Sequence, residues 1–196
     1  HIEKDIYFNT LTMRDKEEIL IDGGAFNGDT IKLFCKKSRG RYKHIYAFET
    51  EEQNRAKMEK MIFNNQLSEI TIVPYALWNQ EEVLNVSGVG MVSKVSENGN
   101  DKVESKIKAN SIDNLLKGIE VSFIKMDIEG AEQKALEGAK NIICKYKPTL
   151  AISIYHKPDD FYKIPLYIYS LVPEYKFYVR HYTCFYADTV LYAICE

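Results

Sequence analysis

The sequence lacks the features that membrane-spanning and nucleic-acid-binding proteins need. Its apolar runs are far shorter than the roughly 20 residues that cross a bilayer, so no transmembrane helix is expected. Its 26 Lys and Arg residues against 28 Asp and Glu residues leave a net charge of −2, so no strong field attracts nucleic acid or an anionic membrane. No signal peptide opens the chain, which begins at His1. These absences favour a cytoplasmic protein that binds neither nucleic acid nor a membrane.

Cysteine and tryptophan are also scarce. The four cysteines form no C-x-x-C pair and have no zinc-site spacing with a histidine; they are Cys35, Cys144, Cys184 and Cys195. A chain of 196 residues buries a core without a disulfide framework. We interpret these cysteines as reduced and placed in or near the core, as in cytoplasmic proteins. One Trp stands against 14 Tyr, and the tyrosines that follow residue 145 fit sheet packing better than a binding site.

Strand and helix patterns alternate along the chain. Short apolar runs predict strands at residues 18–22, 43–48, 70–75, 121–126 and 149–155. Helical spacing predicts helices that include residues 31–35, 51–64, 112–117 (capped by Ser111 and closed by Gly118), 131–139 and 159–171 (perturbed at Pro165). A closing antiparallel pair is predicted at residues 175–182 and 189–195. This order indicates an α/β protein with an open, mostly parallel sheet and helices on both faces.

Two segments fall outside this alternation. Residues 1–17 precede the first strand, and we treat them as an N-terminal remnant beside one domain at residues 18–196. Residues 80–110 are polar and glycine-containing, without helical periodicity, so hairpins or an irregular excursion over the sheet are expected. The run Gly88–Ser93 within them offers flexible backbone and a hydroxyl, which makes this excursion a candidate acceptor lid, although a plain surface hairpin explains it as well.

The loop after the first strand carries the main ligand signal, because open α/β sheets bind ligands at the carboxyl ends of their strands. It reads Asp22-Gly23-Gly24-Ala25-Phe26-Asn27-Gly28-Asp29. This is neither the G-x-G-x-x-G of nicotinamide enzymes nor a P-loop. Two carboxylates about 4 Å from a phosphate would repel it by roughly 4 kcal/mol each at an effective dielectric constant near 20. S-adenosylmethionine, which carries a sulfonium and an ammonium but no phosphate, suits this loop, and its glycines allow close approach to the backbone.

Glu49 ends the second strand of the same βαβ unit. A carboxylate at that place accepts hydrogen bonds from both ribose hydroxyls in nucleotide-binding folds. A Gly-Gly turn and an Asp near a helix start are often only a turn and a cap. Taken together, the loop and Glu49 favour cofactor binding.

An acidic group follows the fourth strand, at Asp127, Glu129 and Glu132. It suits a cofactor ammonium together with an acceptor hydroxyl, or a Mg²⁺ or Ca²⁺ ion, or merely the positive end of a helix. We expect Asp127 and Glu129 to be functional, Glu132 to be structural, and no metal to be required.

His156 lies just past the fifth strand and is the best-placed general base for a hydroxyl acceptor. A packing role at the strand end is the plain alternative. His181, in the closing pair, is a second candidate, whereas we treat His44 as structural.

Several of these runs resemble the FkbM family of methyltransferases. They are ILIDGGAFNGDT (Ile19–Thr30), YAFETEEQN (Tyr46–Asn54), FIKMDIEGAEQKALEGA (Phe123–Ala139) and YVRHYTCFYADTVLYA (Tyr178–Ala193). The D-I-E-G-A-E run is the most specific of them. The resemblance covers nearly the whole chain from about residue 18. It implies a class I methyltransferase (Rossmann-like) fold with seven strands, of which the last is antiparallel.

The resemblance also implies an activity and a set of site residues. It implies S-adenosylmethionine-dependent O-methylation of a hydroxyl on a sugar, a glycan or a natural product. Asp22, Gly24, Phe26 and Gly28 match the cofactor loop, and Glu49 matches the ribose contact. Ala76 and Leu77 stand where the adenine is flanked, and Asp127 lies beside the methionine end of the cofactor. A nicotinamide oxidoreductase and a non-catalytic cofactor-binding module remain the alternatives.

Overall fold

Two β-sheets organise the computed structural model, which describes residues 6–87, 94–96, 105–184 and 187–195. The strands are β1 Glu18–Gly23, β2 Tyr42–Phe48, β3 Ile70–Val73, β4 Ala76–Leu77, β5 Glu82–Ser87, β6 Lys94–Ser96, β7 Ser105–Asn110, β8 Phe123–Met126, β9 Thr149–Ser153, β10 Lys176–His181 and β11 Thr189–Ile194. The helices are α1 Asp29–Lys37, α2 Glu52–Asn64, α3 Ile112–Leu115, α4 Glu132–Glu137, α5 Lys140–Tyr146 and α6 Asp160–Leu171.

The larger sheet has seven strands in the order β10-β11-β9-β8-β1-β2-β3. The pairs β1–β2, β1–β8, β2–β3 and β8–β9 are parallel, whereas β11 is antiparallel to both of its neighbours. Gly23, the last residue of β1, pairs with Phe48 on one side and Met126 on the other. The carboxyl ends of three strands therefore meet, which confirms the predicted mostly parallel sheet with a C-terminal antiparallel hairpin.

Successive residues of the central strands face opposite sides, as the period of two requires. Leu20 packs with the apolar side chains of α1 and α2, whereas its neighbour Ile21 packs with those of α3 to α6. Phe123 and Ile124 divide in the same way. The sheet thus has helices on both faces, as predicted, and its central strands are apolar because both faces are covered.

The N-terminal segment packs against the face that carries α1 and α2. Phe8 is fully buried, with its ring centroid 5.1 Å from that of Phe34 and 5.4 Å from that of Phe123. Tyr7 and Thr12 are buried as well. These residues belong to the stretch that the sequence analysis separated from the domain, and the boundary at residue 18 stays a prediction.

The smaller sheet has four strands in the order β4-β7-β5-β6. β5 is antiparallel to β6 and β7, whereas the short strand β4 runs parallel to β7. Antiparallel pairing of the kind expected for hairpins between residues 80 and 110 is therefore present among the described residues. The proposed lid residues Gly88–Ser93 lie outside them.

Some element boundaries differ from the prediction. The helix expected across residues 131–139 corresponds to α4, which ends at Glu137. A separate helix, α5, follows it and was not predicted. The apolar residues Ala131, Ala135, Leu136 and Ala139 of this segment are all buried. Pro165 lies inside α6 without ending it.

The four cysteines are free, but only Cys35 is buried and Cys195 is partly buried. Cys144 and Cys184 are exposed, so their predicted placement in or near the core is wrong. No helix among the described residues has the length and hydrophobicity needed to traverse a bilayer.

Candidate active site

The loop between β1 and α1 lies over the end of β2. The backbone N–H groups of Gly24 and Ala25 both donate to the carbonyl oxygen of Phe48, at 3.1 and 3.0 Å. Gly24 has a φ of +72°, and a Cβ atom there would lie 2.0 Å from the carbonyl oxygen of Asp127. Only glycine fits, because the end of β8 occupies the space. The protein's own packing therefore explains this glycine, which the sequence analysis had attributed to a ligand.

The start of α1 is shaped by backbone geometry. Gly28 occupies the N-cap position with a φ of +87°, and no side chain caps the helix there. Phe26 also has a positive φ of 49°, which costs a non-glycine residue conformational energy and is a feature that concentrates at functional sites. Asn27 Oδ1 accepts from Asp29 N at 3.2 Å. These contacts fix the turn that leads from β1 into the helix.

Asp22 does not present a free negative charge to a ligand. Its side chain is 0% exposed and lies 2.9 Å from the ammonium Nζ of Lys125, which is 1% exposed. The hydroxyl of Thr30 also donates to Asp22. Asp22 and Asp29 were both expected to repel phosphate. Only Asp29 is exposed, because Asp22 is buried and its charge is balanced by Lys125. Through these two contacts Asp22 stabilises the start of the loop. Its assignment as a cofactor-binding residue stays a prediction.

Glu49 and Leu77 flank this loop. A Glu49 carboxylate oxygen accepts from Glu51 N at 2.8 Å, and the backbone N–H of Phe26 also donates to this carboxylate. Burial raises the pKa of Glu49 above its usual value, although these hydrogen bonds oppose the rise. Leu77 is buried, and one of its methyl groups lies 2.8 Å from the position that a Cβ atom on Gly23 would take. Ala76, its neighbour in β4, is partly buried.

The acidic group and His156 form one cluster at the ends of β8 and β9. His156 Nε2 lies 3.5 Å from an oxygen of Asp127 and 3.5 Å from an oxygen of Glu129. His156 Nδ1 lies 2.9 Å from Glu132 Oε1, which also accepts from Ile128 N at 2.9 Å. Glu132 is fully buried, and Glu129 has a positive φ of 57°. Each ring nitrogen of His156 therefore faces carboxylate oxygens.

The charges in this cluster shift one another. Burial alone would lower the pKa of His156, but Glu132, Asp127 and Glu129 raise it above the usual value for histidine. Burial alone would raise the pKa of Asp127, but the charge of Lys125 and the hydrogen bond from Tyr7 bring it below the usual value. Asp127 is therefore ionised at neutral pH, which suits a group that contacts a cation or a hydroxyl.

Asp127, Glu132 and His156 are also the described residues whose donor atoms satisfy the spacing of a metal site, since these atoms lie within 4.8 Å of one another. The three side chains already pair among themselves through His156. The expectation that no metal is required stays a prediction.

The two other described histidines make their contacts outside this cluster. His44 contacts Thr71 Oγ1 at 2.8 Å and lies 3.6 Å from Glu69, which agrees with a structural role. His181 Nδ1 contacts Thr189 Oγ1 at 2.8 Å across the β10–β11 pair.

Comparison with known proteins identifies the family. The Methyltransferase FkbM domain matches residues 22–179. The chain belongs to the FkbM methyltransferase family. A methyltransferase and S-adenosylmethionine as its cofactor, both predicted from the sequence, are supported by this membership. Comparison with curated proteins found no match.

Solved structures agree with the family assignment. The methyltransferase FkbM from Methylobacillus flagellatus KT is 27% identical with a TM-score of 0.81, and the match covers 98% of this chain and 48% of that one. This FkbM chain thus spans about half the length of that protein. An rRNA methylase from Streptococcus thermophilus is 16% identical (TM-score 0.58, 91% and 86% of the two chains). Fibrillarin from Aeropyrum pernix, solved with bound S-adenosyl-L-methionine, is 13% identical (TM-score 0.53, 93% and 69%). The last two share the fold, which confirms the class I methyltransferase architecture.

The structure of this FkbM family member brings the sequence-predicted residues to one edge of the sheet. The loop from Asp22 to Gly28, Glu49, Leu77, Asp127 and His156 all lie at or beside the carboxyl ends of β1, β2, β8 and β9. Sequence reasoning missed Lys125 and Tyr7. A lysine inside the apolar run of β8 was a usable signal, since a lysine in a buried strand needs a buried partner. No comparable sequence signal marked Tyr7.

Proposed function

We propose that this FkbM family member transfers a methyl group from S-adenosylmethionine to a hydroxyl oxygen of a small-molecule or glycan acceptor, such as a sugar or a natural product. One observation carries the proposal. The Asp127–His156 pair, at 3.5 Å, directly adjoins the cofactor loop, because the Asp127 backbone fills the space beside Gly24. A proton acceptor and the proposed methyl donor would thus share one edge of the sheet.

The residues present fit the cofactor. Glu49, whose carboxylate at the end of β2 is held by backbone N–H groups of Phe26, Thr50 and Glu51, is suited to accept from ribose hydroxyls. The loop from Asp22 through Gly23, Gly24, Phe26, Asn27 and Gly28 would border the methionine part. Ala76 and Leu77 would flank the adenine. The ionised Asp127 suits the cofactor ammonium, an acceptor hydroxyl, or both.

When bound, S-adenosylmethionine supplies an electrophilic methyl group. Asp127 would orient the acceptor hydroxyl in line with the bond that breaks, and alignment of this kind removes much of the barrier. His156 Nε2 would take the hydroxyl proton as the oxygen bonds to the methyl carbon and the sulfur keeps the electron pair of the old bond. Glu132, at Nδ1, would stabilise the resulting imidazolium.

Isothermal titration calorimetry with S-adenosylmethionine, S-adenosylhomocysteine and NAD tests the cofactor. We expect micromolar binding of both adenosyl compounds and no binding of NAD. Binding of NAD alone would instead support a nicotinamide oxidoreductase.

Transfer of radiolabelled methyl groups to a panel of sugar nucleotides, glycans and hydroxylated natural products tests the reaction. Wild type should form a methyl ether, and His156→Ala should reduce kcat by about 10²-fold or more. Methylation of nitrogen or carbon would contradict O-methylation, and tight cofactor binding without turnover of any acceptor would favour a non-catalytic module. A cytoplasmic location stays a prediction.

A further inference from the structure

An N-terminal strap, residues 6–13, is fastened to the C-terminal strand pair. The Tyr192 hydroxyl donates to the carbonyl oxygen of Ile6, and Asn9 Nδ2 donates to the hydroxyl of Tyr182 at 3.3 Å. Within the strap, Thr12 Oγ1 donates to the carbonyl oxygen of Tyr7 at 2.9 Å and accepts from Asn9 N at 3.0 Å. The strap therefore has a defined conformation that fixes the position of Tyr7.

Tyr7 reaches from this strap into the cluster at the end of β8. Its hydroxyl donates to Asp127 Oδ2 at 2.8 Å and lies 3.4 Å from Ser153 Oγ. Its ring lies 5.2 Å from Lys125 Nζ, in a cation–π contact. Tyr7 as a whole residue is 7% exposed, so water does not compete freely for this hydrogen bond.

Asp127 receives one phenol hydrogen bond on each carboxylate oxygen. Tyr7 donates to Oδ2, and Tyr155 donates to Oδ1 at 3.2 Å. We infer that Tyr7 is a positioning residue of the active site: its hydroxyl, held in place by the strap, orients the Asp127 carboxylate and keeps it ionised. The structural part of this inference is independent of the reaction, whereas its effect on methyl transfer rests on the proposed function.

The ionisation of the two groups agrees with these roles. Burial and the charge of Asp127 raise the pKa of Tyr7 well above its usual value, so its hydroxyl keeps the proton that it donates. The other titratable groups that face Asp127 are Lys125, Glu129, Glu132, Tyr155 and His156. Lys125 and His156, together with Tyr7, favour the ionised carboxylate against the cost of its burial.

Tyr7 lies outside the residues that match the FkbM domain, which begin at Asp22. It also lies in the segment that sequence reasoning treated as a remnant. A side chain from beyond the matched region thus completes the surroundings of a residue assigned to catalysis.

The variant Tyr7→Phe tests the inference, because it removes the hydroxyl and keeps the ring against Phe8 and Lys125. The pKa of Asp127 is read from ¹³C NMR of the aspartate side-chain carboxyl carbons, with Asp127→Asn to assign the signal. Because charge-assisted hydrogen bonds are strong, we expect the loss of the Tyr7 hydroxyl to raise the pKa of Asp127 by about one unit. In methyl-transfer assays of Tyr7→Phe, the acid limb of the pH profile that reports the ionisation of Asp127 should shift to higher pH. Its kcat should fall by about tenfold.

Tyr42→Phe is the matched control, since its hydroxyl donates to the carbonyl oxygen of Ser68, away from the cluster. Tyr42→Phe should change neither the pKa of Asp127 nor the methyl-transfer kinetics. If Tyr7→Phe disturbs the fold, Thr12→Val, which releases the Tyr7 carbonyl instead, should raise the pKa of Asp127 in the same direction. An unchanged Asp127 pKa in a folded Tyr7→Phe protein overturns the inference. Wild type that methylates no hydroxyl overturns the proposed function instead, and leaves the NMR result to decide the role of Tyr7.

Discussion

Lys125 and Asp22 form an ion pair at the base of the loop between β1 and α1, with Nζ and Oδ1 2.9 Å apart and both side chains buried. The same ammonium donates to the carbonyl oxygens of Gly23 and Gly24, at 3.0 and 2.9 Å. One side chain of β8 therefore satisfies three acceptors of the turn that leaves β1. The neighbouring strand β8 therefore holds this loop in place through Lys125.

Replacing Lys125 with Met should destabilise the protein by about 3–5 kcal/mol, because Asp22 is then left as an unpaired buried charge. Urea denaturation followed by circular dichroism measures this loss. The double variant Asp22→Asn/Lys125→Met should recover part of it, since no buried charge remains. A single variant as stable as wild type would show that the ion pair does not hold the loop.

Replacing Glu49 with Gln should weaken S-adenosylhomocysteine binding by about ten- to a hundredfold, the range for losing a hydrogen bond to a charged group. In wild type, affinity should fall as the pH drops through the pKa of Glu49, and this pKa lies above the usual glutamate value because the side chain is buried. Calorimetry at several pH values measures both effects. Glu52→Gln, an exposed neighbour in α2, is the control. Equal affinities in the two variants would remove Glu49 from the ribose site.

Replacing Glu132 with Gln should move the rising limb of the kcat/KM pH profile to lower pH. His156 acts as a base only when it is neutral, and Glu132 helps to raise its pKa, so loss of this charge lets the ring deprotonate at lower pH. At the plateau, kcat should still fall by about tenfold, because the imidazolium loses its partner. Glu137→Gln, which alters a partly exposed carboxylate that pairs with Lys134 and Asn79 away from His156, should leave the profile unchanged. If the rising limb of the kcat/KM profile of Glu132→Gln stayed at the same pH as in wild type, His156 would not be the titrating base.

Removing divalent metal should leave methyl transfer unchanged. Asp127, Glu132 and His156 have the spacing of a metal site, but they pair with one another through the histidine ring. Activity assays with EDTA, and with added Mg²⁺, Mn²⁺ or Zn²⁺, measure the dependence. If EDTA abolished activity and one of these metals restored it, the cluster would be identified as a metal centre.

Much of the fold was accessible from the sequence, because the signals are local. Short apolar runs, glycine-rich turns and helical spacing located the strands of the large sheet and most helices to within a few residues. The break between α4 and α5 was missed, since the apolar spacing continues across it. Cys144 and Cys184 were misplaced because cysteine composition reports on redox state and not on depth.

The sequence by itself determined the βα alternation, the family and which polar residues follow each strand, because each depends on neighbours in the chain. Tertiary structure alone decided how those residues act. It buried Asp22 against Lys125, placed Glu132 at the ring of His156, and brought Tyr7 to Asp127 across 120 positions of sequence. Charge compensation and hydrogen bonding depend on distances of about 3 Å, and only the folded chain sets distances between residues so far apart in sequence.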